Sequence, residues 1–182
     1  MISRLKDMIL IPLLKEQWQF KMNITLIAAI SENNVIGKDG QIPWRIREDM
    51  VRFKELTINH PVIIGRKTYE SLPQKFRPLP QRENIILSRN LRSNEDVHIA
   101  RSVEEVLVLI DDRESYVIGG AEVYKAFLPL AHRMEITKVH ENFDGDAYFP
   151  IIKWNEWLQI HEKRNKSASG IDYSFFSYIR KI

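Results

Sequence analysis

Two segments of the sequence place glycine directly after an apolar run and before a helix-forming stretch. Residues 62–68 read Val-Ile-Ile-Gly-Arg-Lys-Thr, and residues 117–124 read Val-Ile-Gly-Gly-Ala-Glu-Val-Tyr. Free N–H groups at a helix start favour an anion, and Arg66 and Lys67 add two full charges. Paired glycines let a backbone pass close to a ligand. Both segments are typical of phosphate sites, with an ordinary helix start and a tight turn as the alternatives. Neither has the G-x-G-x-x-G spacing or a Walker lysine.

A carboxylate lies on a predicted helix shortly after Pro43 and Trp44. Asp49 and Phe53 are four residues apart and share one helix face, next to Met50. A carboxylate at the edge of an apolar stripe can hold a cationic or amidine-like heterocycle through two parallel hydrogen bonds. Partial burial would raise its pKa and suit proton chemistry. The neighbouring Glu48 is expected only to complement the helix dipole.

Several other chemistries lack the residues that they need. The sequence has no cysteine, which excludes disulfides, thiolate zinc sites and cysteine nucleophiles. Its five histidines do not occur in metal-binding spacings, so no metal is expected, and no G-x-S-x-G motif supports a serine hydrolase. With 27 basic and 24 acidic residues, the net charge is +3, and no dense basic stripe predicts nucleic-acid binding.

The first 21 residues differ from the rest of the chain. Their longest apolar run, residues 8–14, contains Pro12 and is far shorter than the roughly 20 residues that span a bilayer. Lys15 and Glu16 stand where a signal peptide needs small residues. We therefore expect no membrane span, no export and a cytoplasmic protein. Residues 1–21 are interpreted as an appended tail or a misassigned start before Met22, with docking on a membrane surface as a third possibility.

From Met22 onward, predicted strands and helices alternate without a repeat, which favours one α/β domain over residues 22–182. Ligands of such sheets bind outside the carboxyl ends of the strands. A polar loop is expected over residues 31–43. The last segments are strand-like with little helix between them, so antiparallel strands should close a central, mostly parallel sheet flanked by helices. Strands are predicted over 24–30, 61–65, 83–88, 97–100, 115–118, 134–139, 157–162 and 173–179, and helices over 46–56, 66–72, 102–110 and 121–128.

In their order and spacing, these features resemble the dihydrofolate reductase family over nearly all of residues 22–182. The segments that carry the resemblance are 27–29 (Ile-Ala-Ala), 35–37 (Val-Ile-Gly), 42–44 (Ile-Pro-Trp), Asp49 with Phe53-Lys54, 61–72 (Pro-Val-Ile-Ile-Gly-Arg-Lys-Thr-Tyr-Glu-Ser-Leu), 77–80 (Arg-Pro-Leu-Pro), 82–84 (Arg-Glu-Asn), 118–120 (Ile-Gly-Gly) with Tyr124, and Gly145-Asp146 with Phe149-Pro150.

The resemblance implies NADPH-dependent reduction of 7,8-dihydrofolate to 5,6,7,8-tetrahydrofolate by a monomer. By the family pattern, Asp49 holds the 2-amino group and ring nitrogen of the pterin while N5 is protonated by way of water. Hydride then passes from the nicotinamide to the adjacent carbon. Thr137 matches the residue that supports the carboxylate, and Trp44 matches the residue that borders the site and its water.

The same resemblance assigns the binding residues. Arg82 matches the arginine that takes the substrate's glutamate carboxylate, a planar bidentate partner, with Arg77 assisting. The apolar walls for the pterin and benzoyl groups are matched by Ile27, Met50, Phe53, Leu72 and Leu79. The residues matched to NADPH are Ala29, Ile36, Gly37, Ile42, Arg66, Lys67, Thr68, Ser88, Arg89, Arg101, Ile118, Gly119, Gly120, Ala121, Glu122, Val123 and Tyr124. The family joins the two glycines by a cis peptide.

The sequence departs from the family pattern at three positions. Glu122 stands where many bacterial members have a basic residue near the 2′-phosphate, so Arg66, Lys67 or Arg89 must supply that charge. Gln81 replaces a common turn glycine, and Ile42 a common Met or Leu. Two other functions stay open: a reductase of a related pteridine or pyrimidine on the same fold, such as that of riboflavin synthesis, and a non-catalytic nucleotide- or RNA-binding protein.

Overall fold

The computed structural model describes residues 23–91 and 96–181. The predicted tail therefore lies outside the described residues. In chain order the elements are strands β1 (Ile24–Ile30) and β2 (Val35–Gly37), helix α1 (Arg47–Thr57), β3 (Pro61–Gly65), α2 (Arg66–Ser71), β4 (Glu83–Leu87), β5 (His98–Ala100), α3 (Val103–Ile110), β6 (Ser115–Gly119), α4 (Ala121–Phe127), β7 (Arg133–Val139), β8 (Ala147–Tyr148), β9 (Trp157–Lys166) and β10 (Asp172–Arg180). Short 3-10 turns occupy Gln74–Phe76 and Trp154–Glu156.

Eight of the described strands form one sheet in the order β5-β4-β3-β6-β1-β7-β10-β9. The neighbours from β5 to β7 are parallel, and β10 runs antiparallel to both β7 and β9. The central strands are almost continuously apolar because helices cover both faces of a parallel sheet. In β3, for example, the first four residues are buried. The predicted α/β architecture with antiparallel C-terminal strands is confirmed.

The predicted loop over residues 31–43 is partly wrong, because residues 35–37 form β2. This strand pairs with β8, through Val35 with Tyr148 and Gly37 with Ala147. A Cβ on Gly145 would collide with the Val35 side chain and lie 2.7 Å from the Gly37 carbonyl oxygen, so glycine allows this close approach. Three residues paired with a segment more than 100 positions away leave no local periodicity to detect.

Strand β9 is also longer than predicted, and it continues to Lys166 rather than stopping at Glu162. It lies at the edge of the sheet, and nearly all its side chains after Trp157 are solvent-exposed. An exposed edge strand needs no apolar alternation, so its polar second half carries no strand signal.

The sheet separates two groups of packed side chains. One face packs against α3 and α4 in the main core, and residues of β1, β3, β6 and β7 on the other face pack near α1. The carboxyl ends of the central strands thus meet α1, α2 and α4 at one edge of the sheet. Among the described residues, no helix is long and apolar enough to cross a membrane, and the longest, α1, has 11 residues.

Candidate active site

Helix α1 carries the acidic residue that the sequence singled out. The buried Ile46 precedes its first turn, and its partly buried Phe53 and Leu56 pack against residues of β1, β3 and β6. Glu48 and Asp49 both lie in that first turn, where the helix dipole favours negative charge. No side chain caps the helix. Its orientation therefore depends on contacts that its side chains make with the sheet.

Asp49 is joined to the sheet by one short hydrogen bond. Thr137 Oγ1 on β7 donates to Asp49 Oδ1 at 2.6 Å, and Thr137 is only 1% exposed. Burial raises the pKa of Asp49, whereas the Thr137 bond and the positive charge of Arg52 oppose that rise. The carboxylate is thus oriented by Thr137 and has a raised affinity for a proton.

A cavity of about 310 Å³ lies beside this carboxylate. Trp44 borders it, with a buried ring whose centroid lies 4.9 Å from that of Phe143. The indole Nε1 is buried and has no hydrogen-bond partner among the described residues, although a buried Trp N–H usually finds one. The cavity is therefore lined by a hydrogen-bond acceptor, the Asp49 carboxylate, and by the residue that carries an unpartnered donor. Its lining residues are Ile42, Trp44, Arg45, Ile46, Asp49 and Met50.

A larger cleft of about 660 Å³ lies along α1 and next to Phe175 on β10. Its lining includes Glu48 and Arg52 but neither Asp49 nor the Trp44 indole. We take the smaller cavity as the chemical site because the oriented carboxylate of Asp49 and the side chain of Trp44 both line it.

The predicted apolar walls form a single cluster beneath α1. Buried Ile27 and Leu79 pack with partly buried Phe53 and Leu72, and Ile118 joins them from β6. Met50 is 55% exposed and borders the cavity on its outer side. The cluster is the apolar region of α1 and the sheet that contains four of the five predicted wall residues.

Arg82 is fixed at the far end of α1. Its Nε donates to Thr57 Oγ1 at 2.8 Å and its Nη1 to the Pro80 carbonyl at 2.9 Å. The guanidinium lies 5.6 Å from the centroid of the Phe53 ring, and burial lowers its pKa. Arg77 is bonded elsewhere, to the Glu70 carbonyl at 2.9 Å. Arg82 is thus a pre-oriented cation next to the apolar cluster, and no carboxylate pairs with it in residues 23–91 and 96–181.

The two glycine junctions meet at neighbouring strand ends. Ile64 of β3 is in register with Gly119 of β6, and the Gly119–Gly120 peptide is cis. A Cβ on Gly120 would lie 2.7 Å from Thr68 Oγ1, so glycine is needed for the junctions to approach each other. Neither α2 nor α4 has a side-chain cap, which leaves first-turn N–H groups available to an anion.

Cationic and hydroxyl groups surround these junctions. Arg66 Nη1 contacts Glu70 at 2.8 and 3.1 Å, whereas Lys67 is solvent-exposed. At the end of β4, Arg101 Nη1 donates to the Arg89 carbonyl at 3.2 Å. Together with the 2.9 Å hydrogen bond from the Ser88 N–H to the Ala100 carbonyl, this contact brings Arg101 next to the neighbouring residues Ser88 and Arg89. Ser88 Oγ accepts from the backbone N–H of Leu91 at 3.1 Å, and Glu122 is exposed in the first turn of α4.

The remaining residues of the predicted cofactor site lie in β1, β2, β6 and α4 and in the segment before α1. Tyr124 of α4 donates its hydroxyl to the Ile27 carbonyl at 2.7 Å, and burial together with the charge of Asp49 raises its pKa. Its phenol therefore stays neutral. Ile36 and Val123 pack in the main core, Ala29 packs near Trp44, and Gly37 belongs to β2. Ile42 is 50% exposed at the mouth of the cavity. Ala121 begins α4 directly after Gly120.

One charged group close to Asp49, the guanidinium of Arg52, was not predicted from the sequence. Arg52, one turn along α1, is paired with the buried Glu135 of β7, which also contacts Arg133 and Ser177. Two signals were available: Arg52 is at position i+3 from Asp49, and Glu135 is two residues before Thr137 on the strand predicted over 134–139. Because strand residues two apart share a face, Glu135 should have been placed beside Thr137.

Comparison with known proteins gives consistent matches. A family model described as dihydrofolate reductase matches residues 23–180. The dihydrofolate reductase of Haemophilus influenzae is 44% identical over 88% of this chain and 100% of its own length. That of Staphylococcus haemolyticus is 37% identical over 89% and 96%. A solved structure of the Enterococcus faecalis enzyme complexed with NADP(H) and RAB-propyl has a TM-score of 0.81 and 33% identity, covering 89% of this chain and 98% of that one.

Proposed function

The chain belongs to the dihydrofolate reductase family, and from that premise we propose how its residues carry out the NADPH-dependent reduction of 7,8-dihydrofolate to 5,6,7,8-tetrahydrofolate. The observation that carries the assignment of the site is the Thr137–Asp49 hydrogen bond of 2.6 Å at a cavity bordered by Trp44. It places an oriented carboxylate where a planar heterocycle can reach it.

Asp49 binds and orients the pterin. A carboxylate accepts two parallel hydrogen bonds, here from the 2-amino group and the ring N–H. Thr137 occupies one lone pair of Oδ1 and so fixes the plane of the carboxylate. The negative charge also favours the protonated pterin, which promotes proton uptake at N5 before hydride arrives. We propose that Trp44, which borders the same cavity, donates its unpartnered N–H to a water or a polar substrate atom.

The apolar cluster and Arg82 bind the rest of the substrate. Ile27, Phe53 and Leu79 contact the pterin and benzoyl rings, with Leu72 and Met50 at the margins. Arg82 binds the glutamate carboxylate, because Thr57 and Pro80 already hold its guanidinium in place. Arg77 belongs to the same outer part of the site.

The residues at the glycine junctions fit NADPH. The close approach of Gly120 to Thr68, which a Cβ would prevent, leaves backbone N–H groups of two helix starts side by side. Arg66, Lys67 and Thr68 bind phosphate there together with Gly119, Gly120 and Ala121, while Ser88, Arg89 and Arg101 receive the 2′-phosphate and adenine end. When bound, NADPH supplies the hydride, and one proton is taken up for each substrate reduced. Ala29, Ile36, Gly37, Ile42, Ile118, Val123 and Tyr124 border the nicotinamide side.

A substrate panel tests this function. The full chain is assayed for NADPH oxidation with dihydrofolate, with a dihydropterin lacking the benzoylglutamate group, and with a pyrimidine intermediate of riboflavin synthesis. We expect the highest kcat/KM for dihydrofolate because it alone engages Arg82. Preference for the pyrimidine would instead assign the chain to a related reductase on the same fold.

The functional context follows from the substrate. We propose that the protein acts as a cytoplasmic monomer on small molecules, without a nucleic-acid or membrane partner, in one-carbon and thymidylate metabolism. Size-exclusion chromatography with light scattering tests the oligomeric state.

A further inference from the structure

Two polar contacts connect helix α1 to strand β7. The first is the Thr137–Asp49 hydrogen bond in the cavity. The second is the ion pair between Arg52 and Glu135, one helical turn further along α1 and two residues back along β7. The i, i+3 spacing on the helix matches the i, i+2 spacing on the strand, so both contacts come from the facing sides of the two elements.

The contact between Arg52 and Glu135 is buried, and both carboxylate oxygens of Glu135 have partners. Glu135 is 2% exposed, Arg133 Nε contacts its Oε1 at 2.6 Å, and Ser177 Oγ donates to its Oε2 at 2.6 Å. The guanidinium of Arg52 also lies 4.6 Å from the centroid of the Phe175 ring. Three elements, α1, β7 and β10, therefore converge on one carboxylate.

A contribution to stability alone does not account for this arrangement. Replacing a buried ion pair by apolar residues of similar volume is often neutral or stabilising. Helix α1 has no side-chain cap, and Thr57 is its single buried residue in the described structure. The partly buried Phe53 and Leu56 pack against residues of β1, β3 and β6, whereas the contacts with β7 are the two polar ones, so these set the register of α1 against β7. A shift of α1 would separate Asp49 from Thr137.

We propose that Arg52 and Glu135 are positioning residues that hold α1 in register with β7 and balance the charge around Asp49; this inference rests on the proposed function of Asp49. Arg52 places a positive charge near Asp49, and the negative charge of Glu135 partly offsets it. A nearby cation disfavours the protonated form of both Asp49 and the pterin, so the pair sets the pH range in which the site takes up its proton.

Arg52 is one of several charged or titratable groups around Asp49. Tyr124 on α4 and Tyr173 on β10 stay neutral because burial raises the pKa of each phenol. The positive charge of Arg52 lowers the pKa of Asp49, against the effect of burial. The surrounding groups are Arg45 at the cavity, Glu48 and Arg52 on α1, Arg133 and Glu135 on β7, Tyr124 on α4 and Tyr173 on β10.

The test compares Arg52→Met, Arg52→Lys, Glu135→Gln and the double variant Arg52→Met/Glu135→Gln, with Glu55→Gln on the exposed side of α1 as the control. The pKa of Asp49 is measured by carbon-13 NMR titration of labelled aspartate in the full chain without substrate. The pH dependence of kcat/KM is measured in parallel, and circular dichroism and thermal unfolding identify the folded variants.

We expect Arg52→Met to raise the pKa of Asp49 by about 0.5 to 1 pH unit and Glu135→Gln to lower it, with the pH profile of kcat/KM moving the same way. The double variant should fall between the two single variants. Arg52→Lys and Glu55→Gln should stay within about 0.3 unit of the parent, since both leave the charge beside Asp49 unchanged.

Shifts of the same sign in the folded single variants, or no shift, would overturn the proposal. If Arg52→Met does not fold, Glu135→Gln decides the matter against the charge-preserving Arg52→Lys: a pKa of Asp49 that Glu135→Gln displaces no more than Arg52→Lys does refutes the proposal. The NMR measurement needs no substrate, so it is independent of whether the parent reduces dihydrofolate.

Discussion

Replacing Asp49 by asparagine removes the charge of the carboxylate while keeping its shape. The amide oxygen can still accept the hydrogen bond from Thr137 Oγ1, which in the parent is 2.6 Å long. The other oxygen becomes an NH₂ donor that faces the donors of the pterin. The variant therefore loses a charge-assisted hydrogen bond and leaves a donor unpaired in the site.

The expected loss follows from these two changes. A hydrogen bond to a charged group contributes about 1.5 to 3 kcal/mol, and an unsatisfied buried donor costs about 1 to 3 kcal/mol. Their sum, about 2.5 to 6 kcal/mol, corresponds to a decrease of roughly 10²- to 10⁴-fold in kcat/KM at neutral pH. Activity should recover partly as the pH falls, because solvent then protonates the substrate.

The assay is the pH dependence of dihydrofolate-dependent NADPH oxidation for the parent, Asp49→Asn and Glu48→Gln. Glu48 lies in the same helical turn and does not line the Asp49 cavity, so its variant should stay within about twofold of the parent. NADPH binding, followed by fluorescence, should be unchanged in Asp49→Asn. Turnover of Asp49→Asn near that of the parent at neutral pH would refute the role of this carboxylate.

The same variant is expected to unfold at the same temperature as the parent or a higher one at neutral pH. Burial raises the pKa of Asp49, so the folded chain binds this proton more tightly than the unfolded chain does. Ionised Asp49 therefore lowers stability as pH rises from the unfolded pKa through the folded one. Calorimetry should show the advantage of Asp49→Asn shrinking as the pH is lowered through that window, and a constant destabilisation would contradict the sign of the shift.

Three further predictions concern other parts of the chain. Arg82→Leu should raise the KM for dihydrofolate far more than it lowers kcat, and leave a pterin without the glutamate group unaffected; equal effects on both substrates would make Arg82 structural. The ratio of kcat/KM for NADPH to that for NADH should exceed one in the parent, increase in Glu122→Arg and decrease in Arg89→Ala. Both changes should be smaller at high salt. A ratio that neither variant changes would place the 2′-phosphate elsewhere. Deletion of residues 1–21 should leave activity unchanged, because no matched site residue lies there; loss of soluble, active protein would indicate that the tail packs on the domain.

The order of the strands and helices could be predicted because patterns among neighbouring residues indicate most of them. The buried strands β1 and β3 are continuous apolar runs, and their predicted bounds agree with the structure. The positions of Asp49 and Phe53 on one helix face followed from helical periodicity alone. The two glycine junctions were recognisable because glycine ends an apolar strand in both.

Features that depend on distant partners could not be predicted in the same way. Strand β2 exists because Val35 and Gly37 pair with residues of β8, and Trp44, which borders the cavity, packs against the distant Phe143. The pair between Arg52 and Glu135 joins residues 83 positions apart. The hydrogen bond from Arg82 to Thr57 joins residues 25 positions apart. Such contacts follow from the three-dimensional register of α1 on the sheet, which no local pattern specifies.

The most direct test of the account follows the hydride itself. The full chain is incubated with dihydrofolate and NADPH carrying deuterium at the transferred position of the nicotinamide, and the folate product is analysed by mass spectrometry. We expect tetrahydrofolate labelled at the carbon next to N5, in an amount equal to that of the NADPH oxidised. Asp49→Asn should form far less of this labelled product at neutral pH. NADPH oxidation without labelled tetrahydrofolate, or equal labelling by Asp49→Asn, would contradict it.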